Sequence, residues 1–388
     1  MRSRPIYMDH HATTPVDPRV LDAMLPYFTE KFGNAASVNH LYGWEAYDAV
    51  EAARGQVASL LNASPREVIF TSGATEANNL ALKGVMRASR PGSHLVTAAA
   101  EHRAVLDPAR RLQRDGYQVT VLSVDEHGRV DPEQVAAAIR PNTVLVSIML
   151  ANNEVGTINP ISEIGRVCRA KQVTLHCDAA QAAGRIPIDL QTLPVDLLSL
   201  SAHKLYGPKG VGALIVRKGA GRVRIEPLLD GGGHENRLRS GTLPVPLVVG
   251  FGRACELAAA ALPEEATRLA WLRDRLWTGL SAQLDGIRMN GHPTERLPGN
   301  LNVSFEGVQG DALMAQLKGV AVSSGSACTT AEPEPSHVLR AMGLSETLSR
   351  ASVRFGLGRG NTEQEVDAVI DEVAQAVRKL RRITRFGP

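Results

Sequence analysis

The stretch LLSLSAHKLYGPKGVGALIV, residues 197–216, holds two short apolar runs separated by a polar, glycine-rich turn. Both runs, 197–201 and 212–216, have the length and the apolar composition of buried β-strands. Five earlier runs have the same character and cover residues 67–71, 95–98, 119–122, 144–149 and 173–177. Helix-like stretches separate most of the runs. The runs are too apolar for a sheet that exposes one face to solvent. The sequence therefore predicts an α/β fold with a mostly parallel seven-stranded sheet flanked by helices.

The length of the chain, 388 residues, exceeds what one hydrophobic core usually supports, so two domains are expected. After about Arg268 the rhythm of strands and helices changes to an α+β mixture. We predict a large domain of residues 15–262 and a smaller α+β domain of residues 1–14 and 263–388, which carries the loop around Cys328. Two such domains would form a cleft between them.

A long amphipathic helix is predicted near the C-terminal end, from Glu363 to about Arg382. Thr362 and Glu365 have the spacing of a capping box, in which each side chain accepts a hydrogen bond from the backbone of the other residue. Apolar residues recur on one face at helical spacing: Val366, Val369, Ile370, Val373, Val377 and Leu380. This face would pack into the core of the small domain.

Composition and charge exclude several classes of protein. Hydrophobic residues make up 44% and charged residues 21%, as in soluble globular proteins, and no apolar run approaches a membrane span of roughly 18 residues. The start of the chain has no apolar signal-peptide core, so a cytoplasmic protein is expected. The net charge of +3 is distributed along the chain without a large basic patch. The basic cluster at 378–385 is interpreted as the cationic C-terminal end of a helix. Membrane and direct nucleic-acid binding are therefore not expected.

The four cysteines form no CxxC pair and are too few for a disulfide scaffold. Cys168 and Cys255 lie among apolar and helix-forming residues, and Cys177 ends a predicted strand, so all three are expected to be buried. Cys328 lies in SSGSACTT, residues 323–330, a small polar loop that would expose a reacting thiol. The alternative is an inert surface thiol.

The turn after the first predicted strand of the sheet has the pattern of a phosphate site. Residues 68–70 form the strand, SGAT at 72–75 forms the turn, and a helix follows from Glu76. Free amide groups and the positive end of a helix dipole lie at such a turn and bind phosphate. An ordinary connection capped by Ser72 or Thr75 is the alternative.

Two charged residues, Asp178 and Lys204, follow apolar runs at the predicted ligand-binding edge of the sheet. A lysine can hold the aldehyde of pyridoxal 5′-phosphate (PLP) covalently, and a carboxylate keeps its pyridine nitrogen protonated. Alone, Asp178 could be a turn cap and Lys204 a solvated loop residue. Together with the turn at Thr75 they predict a PLP site. The adjacent His10 and His11 lack further ligands, so no metal site is predicted.

The segment SAHKLYGPKG, residues 201–210, resembles the PLP-lysine signature of cysteine desulfurases of the NifS/IscS type, which are class V aminotransferase-like enzymes. The likeness runs from Ile6 to about Arg359. Further matching blocks are DHHATTP (9–15), SGATEANN (72–79), NNEVG (152–156), DAAQ (178–181), GGGHENRLRSGT (231–242) and SSGSACT (323–329). The resemblance implies PLP fold type I.

The resemblance also implies which residues bind PLP. The phosphate would be held by Ala74, Thr75, Ser201 and His203. Thr242 would reach the phosphate bound in the partner subunit, so a homodimer is implied. The ring would be contacted by His102 over its face, Asp178 at the pyridine nitrogen, Asn153 and Gln181 near the hydroxyl, and Lys204 at the aldehyde.

The implied substrate is L-cysteine. Arg354 would bind its α-carboxylate through a two-pronged contact, with Asn34 and Asn153 as helpers. Without the resemblance, Arg354 would be interpreted as a charge on the surface of a strand.

The implied reaction begins when Lys204 takes a proton from Cα of the substrate. The thiolate of Cys328 then attacks the substrate sulfur, which leaves a persulfide on the enzyme and gives L-alanine. Only a thiolate is nucleophilic, so Cys328 needs a pKa near or below neutrality or a local base such as His102.

The persulfide sulfur would pass to an acceptor protein, an iron–sulfur scaffold of the IscU/NifU type or another carrier, for iron–sulfur cluster assembly or tRNA thiolation. One alternative keeps the fold but makes the chain an aminotransferase or a selenocysteine lyase, for which a loop thiol such as Cys328 has less use. Another is a catalytically idle binding scaffold. The second alternative is disfavoured by five residues that occur together: His102, Asp178, Lys204, Cys328 and Arg354.

Overall fold

The computed structural model describes residues 4–218, 223–324 and 335–386. Its strands are β1 (Ile6–Tyr7), β2 (Val68–Thr71), β3 (His94–Ala98), β4 (Gln118–Leu122), β5 (Thr143–Ser147), β6 (Thr174–Asp178), β7 (Leu197–Ser201), β8 (Gly212–Val216), β9 (Ile287–Asn290), β10 (Asn300–Phe305), β11 (Val320–Ala321) and β12 (Ser352–Gly356). Its α-helices are α1 (Pro18–Met24), α2 (Pro26–Thr29), α3 (Leu41–Leu60), α4 (Ala74–Arg87), α5 (Arg103–Arg114), α6 (Pro132–Ala138), α7 (Ile161–Ala170), α8 (Val245–Gln283), α9 (Gly310–Gln316), α10 (His337–Ala341), α11 (Glu346–Arg350) and α12 (Glu363–Phe386). Single 3-10 turns lie at Pro65–Glu67, Ala202–Lys204 and Glu235–Arg237.

The central sheet has seven strands in the order β2-β8-β7-β6-β5-β3-β4. The pairs from β7 to β4 are parallel, whereas β8 runs antiparallel to both of its neighbours. Each of the seven predicted runs is a strand of this sheet, and the largest difference is that β5 ends at Ser147 rather than at residue 149. The predicted α/β fold is thus confirmed, and the carboxyl ends of β3, β5, β6 and β7 meet at one edge.

Both faces of the sheet are covered, which explains why its strands are apolar throughout. On one face, Leu95 and Leu145 pack in a core with residues of α4 and α5. On the other face, Val96 and Val146 pack in a larger core with residues of α3, α7 and α8. Since neighbouring residues of one strand point to opposite faces, a sheet buried on both sides needs apolar residues at every position.

The predicted small domain contains an antiparallel sheet in the order β12-β10-β9, and α12 packs on it. The predicted capping box begins this helix: the backbone N–H of Thr362 donates to Glu365 Oε2 at 3.1 Å, and that of Glu365 donates to Thr362 Oγ1 at 3.2 Å. All six predicted apolar residues of α12 belong to or pack against the small-domain core. Met8 is buried in the same core, so the N-terminal segment contributes to this core.

Helix α8 is 39 residues long and belongs to both cores. Its first part contributes Phe251 and Cys255 to the core under the central sheet, and its second part contributes Leu272 and Leu276 to the small-domain core. The division near residue 262 therefore falls inside a continuous helix and stays a prediction. By length and composition α8 is the one described helix that could cross a membrane, but these buried residues assign it to the interior of the protein.

Candidate active site

A cavity of about 550 Å³ lies at the edge where the carboxyl ends of the parallel strands meet. Its walls also include residues 11–13 of the N-terminal segment and Arg354 of β12, so both predicted domains contribute to it. Ten of the predicted site residues line it: Ala74, Thr75, His102, Asn153, Asp178, Gln181, Ser201, His203, Lys204 and Arg354. Residues distant in sequence thus meet in one place.

The predicted phosphate turn forms one wall of the cavity. Strand β2 ends at Thr71, Gly73 adopts φ +151°, and α4 begins at Ala74 without a side-chain cap among the described residues. The alternative of a turn capped by Ser72 or Thr75 is therefore wrong, and the first N–H groups of α4 stay available to an anion. Gly212 lies so close that an added Cβ would be 2.7 Å from Cα of Gly73.

His203 lies next to this turn. Its Nδ1 is 3.1 Å from Oγ1 of Thr13, and burial together with the charges of Lys204 and Lys209 lowers its pKa to about 4. At neutral pH the imidazole is therefore uncharged and acts as a hydrogen-bonding group rather than as a cation.

Lys204 follows β7 in the short 3-10 turn Ala202–Lys204, which turns its side chain toward the N-terminal segment. Its Nζ donates to the carbonyl oxygens of His11 at 2.6 Å and Ala12 at 2.7 Å. The carbonyl groups of the DHHATTP block thus hold the amine at the cavity wall. Sequence reasoning named the block but missed this role, because a contact across 193 residues leaves no local pattern.

Asp178 is the last residue of β6 and is 6% exposed. Its Oδ2 accepts a hydrogen bond from Asn78 Nδ2 at 2.7 Å, and its Oδ1 accepts one from the backbone N–H of Ala180 at 2.9 Å. The carboxylate therefore has a fixed orientation at the cavity. Asn78, on α4, was also missed from the sequence, although it lies within the SGATEANN block.

Glu101 is a second buried carboxyl group near Asp178. Burial raises its pKa well above the usual range, and the charge of Asp178 acts in the same direction. Its Oε1 accepts a hydrogen bond from the backbone N–H of Met149 at 2.7 Å. Burial beside Asp178 therefore favours the neutral form of the Glu101 carboxyl group.

His102 caps the N-terminus of α5 and lines the cavity. Its Nδ1 accepts a hydrogen bond from the backbone N–H of Ala104 at 3.1 Å, and burial lowers its pKa. The neutral ring therefore carries its proton on Nε2. This arrangement fixes the orientation of the ring through the helix cap.

Gln181 is bound to the N-terminal segment at both ends of its amide. Its Nε2 donates to the carbonyl oxygen of His11 at 2.9 Å, and its Oε1 is 2.9 Å from Nδ1 of His11. Burial, followed by the charge of Arg185, lowers the pKa of His11 far below its usual value. Nε2 of His11 is buried without a partner in the described ranges, so one polar atom beside the cavity is unsatisfied.

Arg354 comes from the middle of β12, in the small domain. Its Nη2 donates to Asp9 Oδ1 at 2.7 Å, and its Nη1 donates to the carbonyl oxygen of Asn153 at 2.9 Å. Its Nε is buried and has no partner in the part of the chain that the structure describes. The predicted two-pronged contact is thus occupied by protein atoms, with Asp9 as the counter-ion.

Comparison of the sequence with known proteins identifies the family of this chain. The family model described as "Aminotransferase class-V" matches residues 6–369. The chain belongs to this family. Cysteine desulfurase IscS of Anaeromyxobacter sp. (strain Fw109-5) is 59% identical to it, over 98% of this chain and 94% of the relative. The cysteine desulfurase of Homo sapiens is 52% identical, over 98% of this chain and 83% of the relative.

Comparison with solved structures agrees with this assignment. A protein described as NifS-like superposes with a TM-score of 0.90 at 40% identity, covering 97% of this chain and 100% of its own. SspA in complex with cysteine gives a TM-score of 0.81 at 38% identity, covering 91% of this chain and 98% of its own. The family, the fold type and the cysteine desulfurase activity predicted from the sequence are thereby confirmed.

Two predicted residues of this class-V aminotransferase that the structure describes do not line the cavity. Asn34 and Thr242 are exposed and line no part of it within one chain. Asn34 uses its Oδ1 to accept a hydrogen bond from the backbone N–H of Ala36 at 2.9 Å. Cys328 lies outside the described residues.

The other three cysteines are buried, as predicted. Burial raises the pKa of Cys168 to about 12 and raises the pKa values of Cys177 and Cys255 well above the usual range. These thiols are therefore protonated at neutral pH, and none of them can serve as an exposed nucleophile.

Proposed function

We propose that this chain binds PLP, takes the sulfur from L-cysteine onto Cys328 as a persulfide and releases L-alanine. The observation that carries the proposal is the convergence, in one cavity, of an uncapped helix N-terminus, the amine of Lys204, the carboxylate of Asp178 and the guanidinium of Arg354. A phosphate, an aldehyde, a pyridine nitrogen and a substrate carboxylate each require one of these groups.

The residues of the cavity fit PLP. The turn at Ala74 and Thr75, with Ser201 and His203, would hold the phosphate, because the uncapped N–H groups at the start of α4 attract an anion and the His203 side chain is neutral. Lys204 would hold the aldehyde. When bound, PLP supplies a ring that accepts electrons from the bonds around Cα of the substrate.

The ring would be oriented by residues of three different elements. Asp178, fixed by Asn78 and Ala180, would bind the pyridine nitrogen. His102 would lie over the ring face, where its neutral imidazole adds no charge. Asn153 and Gln181 would lie near the ring hydroxyl, as the cavity lining allows.

Arg354 would bind the α-carboxylate of L-cysteine. To do so, the guanidinium must share or exchange its contact with Asp9, and its unpartnered Nε supplies a further donor. Asn153 lies beside it, since its carbonyl oxygen already accepts from Arg354. Asn34, exposed in this chain, stays a proposed helper for the substrate.

Two groups of the chain would carry the proton and the sulfur. Lys204 Nζ would take the proton from Cα of the substrate and later return a proton to the product. Cys328 Sγ, as a thiolate, would attack the substrate sulfur, so that the S–S bond forms as the substrate C–S bond breaks. The balance is L-cysteine plus the Cys328 thiol giving L-alanine plus the Cys328 persulfide, with no other reactant.

We also propose that the protein is a cytoplasmic homodimer. Large apolar side chains are exposed along the N-terminal helices, among them Phe28, Phe32, Leu41, Trp44 and Tyr47, each more than half exposed. Exposed large apolar side chains close together in sequence are typical of a protein–protein interface, and a second copy of the chain would cover them. Thr242 is exposed and could then reach the phosphate site of the partner.

The sulfur acceptor is proposed to be a separate protein, an iron–sulfur scaffold of the IscU/NifU type or another carrier. A persulfide on Cys328 holds its outer sulfur in a form that a thiolate of the acceptor can take up, which regenerates the Cys328 thiol. The acceptor would supply that thiolate.

The proposal is tested by measuring sulfide and alanine from L-cysteine in the presence of a reductant, for the wild type, Cys328→Ala and the matched control Cys168→Ala. We expect equal amounts of both products from the wild type and the control, because Cys168 is buried. Cys328→Ala should keep the PLP absorbance near about 400 nm and lose both products. A coloured Cys328→Ala protein that still forms sulfide would instead favour a lyase, and a wild type that takes up no PLP would refute the proposal.

A further inference from the structure

The segment 231–242, which carries Thr242, has an unusual backbone. Three consecutive residues that are not glycine, Glu235, Asn236 and Arg237, have φ values of 49°, 58° and 65°. Residues with a Cβ rarely adopt this left-handed region, and a run of three persists only where surrounding contacts hold it. The proposed reaction gives no role to these residues.

The first contact that holds the segment is a buried ion pair. The Glu235 side chain is 2% exposed, and its oxygens accept hydrogen bonds from Arg54 Nη1 at 2.9 Å and Nη2 at 2.8 Å. Its Oε2 also accepts from the backbone N–H of Phe70 at 2.6 Å. Phe70 belongs to β2, the strand that leads directly into the phosphate turn.

The second contact reaches the phosphate turn itself. Arg239 Nε donates to Glu76 Oε1 at 2.9 Å, and Arg239 Nη2 is 3.4 Å from Glu76 Oε2. Glu76 Oε2 also accepts from the backbone N–H of Ser72 at 2.8 Å. Burial opposes the ionisation of Glu76, but the hydrogen bonds from Arg239 and Ser72 hold its pKa below the usual value, so it is an anion at neutral pH.

The segment is thus fixed at two points to the elements that form the phosphate site of its own subunit, while Thr242, three residues after Arg239, is exposed to solvent. We propose that Arg239 is a positioning residue that acts through Thr242 on the phosphate site of the partner subunit, with Glu235 supporting the same segment. The inference rests on the proposed PLP site and homodimer.

A consequence is that the two phosphate sites of a dimer are linked. Each turn at Ser72 and Glu76 binds its own phosphate and, through Arg239, holds the Thr242 that serves the other subunit. Loss of Arg239 should therefore weaken PLP binding through the loss of the Thr242 contact, and Arg239→Met should add little once Thr242 is already changed.

This dependence can be measured as a double-mutant cycle on the full-length dimer. PLP is titrated into the apoprotein, and the dissociation constant is measured for the wild type, Arg239→Met, Thr242→Val and the double variant. We expect each single change to raise the constant about tenfold, and the double change to raise it no further than Thr242→Val alone. Arg239→Lys, which keeps the charge, should recover part of the loss.

The matched control is Arg275→Met. Arg275 makes a two-pronged pair with Asp367 at 2.8 and 2.7 Å in the small domain, so this variant removes an ion pair of the same kind away from the cavity. Its PLP affinity should equal that of the wild type. Melting temperatures of the apoproteins show whether any variant is unstable. If Arg239→Met does not fold, Arg239→Lys replaces it in the double-mutant cycle.

The outcomes separate the inference from the proposed function. If the increases in the PLP dissociation constant caused by Arg239→Met and Thr242→Val multiply to about a hundredfold in the double variant, the inference is overturned and the PLP site is left intact. An Arg239→Met protein with wild-type affinity has the same meaning. A Thr242→Val protein with wild-type affinity overturns the proposed role of Thr242 and the inference with it. A wild type that binds no PLP overturns both.

Discussion

The cofactor side and the substrate side of the cavity are built differently. On the cofactor side, Asp178 ends β6, and Lys204 follows β7, the neighbouring strand of the central sheet. Asp178 accepts two hydrogen bonds from nearby protein groups, and Lys204 donates two. On the substrate side, Arg354 comes from the small domain, pairs with Asp9 and keeps one donor unused. The cofactor side is fixed in advance, whereas the substrate side is held by a contact that a ligand carboxylate can replace.

The largest effect is expected from Lys204→Ala, which removes the amine from the cofactor side. Alanine formation should fall by more than about a thousandfold, because both the covalent attachment of PLP and the proton transfer at Cα are lost. Product formation and the visible spectrum measure the two losses separately. Lys171→Ala, on the exposed surface, is the control; substantial turnover by Lys204→Ala would mean that another group takes the proton.

Asp178→Asn should lower kcat by about a hundredfold or more with little change in KM for L-cysteine. The amide keeps the shape but cannot hold a proton on the pyridine nitrogen, so the ring accepts electrons less well. Steady-state kinetics at saturating PLP measure this change. A rise in KM with an unchanged kcat would assign Asp178 to the substrate side and break the distinction between the two sides.

Arg354→Lys should have the opposite kinetic signature. KM for L-cysteine should rise by about fiftyfold, since a lysine cannot make the two-pronged contact with a carboxylate, while PLP affinity should stay that of the wild type. Kinetics and PLP titration of the same preparation test both statements. Weakened PLP binding would show that Arg354 also supports the cofactor side.

The smallest effect concerns stability and its dependence on pH. Glu154 lies next to Asn153 and accepts a hydrogen bond from Ser336, and burial raises its pKa to about 7. Because the folded state holds this proton more tightly than the unfolded chain, the group's contribution to the free energy of unfolding falls as pH rises from about 4.5 to about 7 and is constant above that.

Glu154→Gln mimics the protonated acid and should remove this dependence. Urea unfolding should therefore give similar stabilities for variant and wild type near pH 5 and a more stable variant at pH 8, by at most about 3 kcal/mol. Glu163→Gln, on an exposed helix face, is the control and should follow the wild type at both pH values. If the free energy of unfolding of Glu154→Gln changed with pH in parallel with that of the wild type, the raised pKa of Glu154 would be contradicted.

Local signals in the sequence predicted the strands, the phosphate turn, Asp178 and Lys204, whereas the other residues of the cavity were predicted from the resemblance to cysteine desulfurases. Apolar runs mark strands buried on both faces, and residues that follow parallel strands meet at one edge whatever the order of the strands. The antiparallel direction of β8 also follows from the spacing in the sequence. The ten residues between β7 and β8 are too few for a crossover helix, so the chain must reverse its direction between the two strands.

The partners of the site residues could not be predicted. Asp9 meets Arg354 across 345 residues, and Asn78 meets Asp178 across 100. Such contacts depend on how the N-terminal segment and α4 pack against the sheet, which no spacing in the sequence encodes. The raised pKa of Glu101 was missed for the same reason, since it depends on complete burial beside Asp178.

Helix α8 has a mechanical consequence. A single helix that contributes to both hydrophobic cores joins them without a loose linker, so any rotation of one core against the other must bend the helix itself. Pro263 lies inside α8 and lacks the N–H that would bond to the preceding turn. Whatever bending occurs during turnover should therefore be concentrated at this residue, and entry of the substrate should depend on short segments around the cavity rather than on a swing of whole domains.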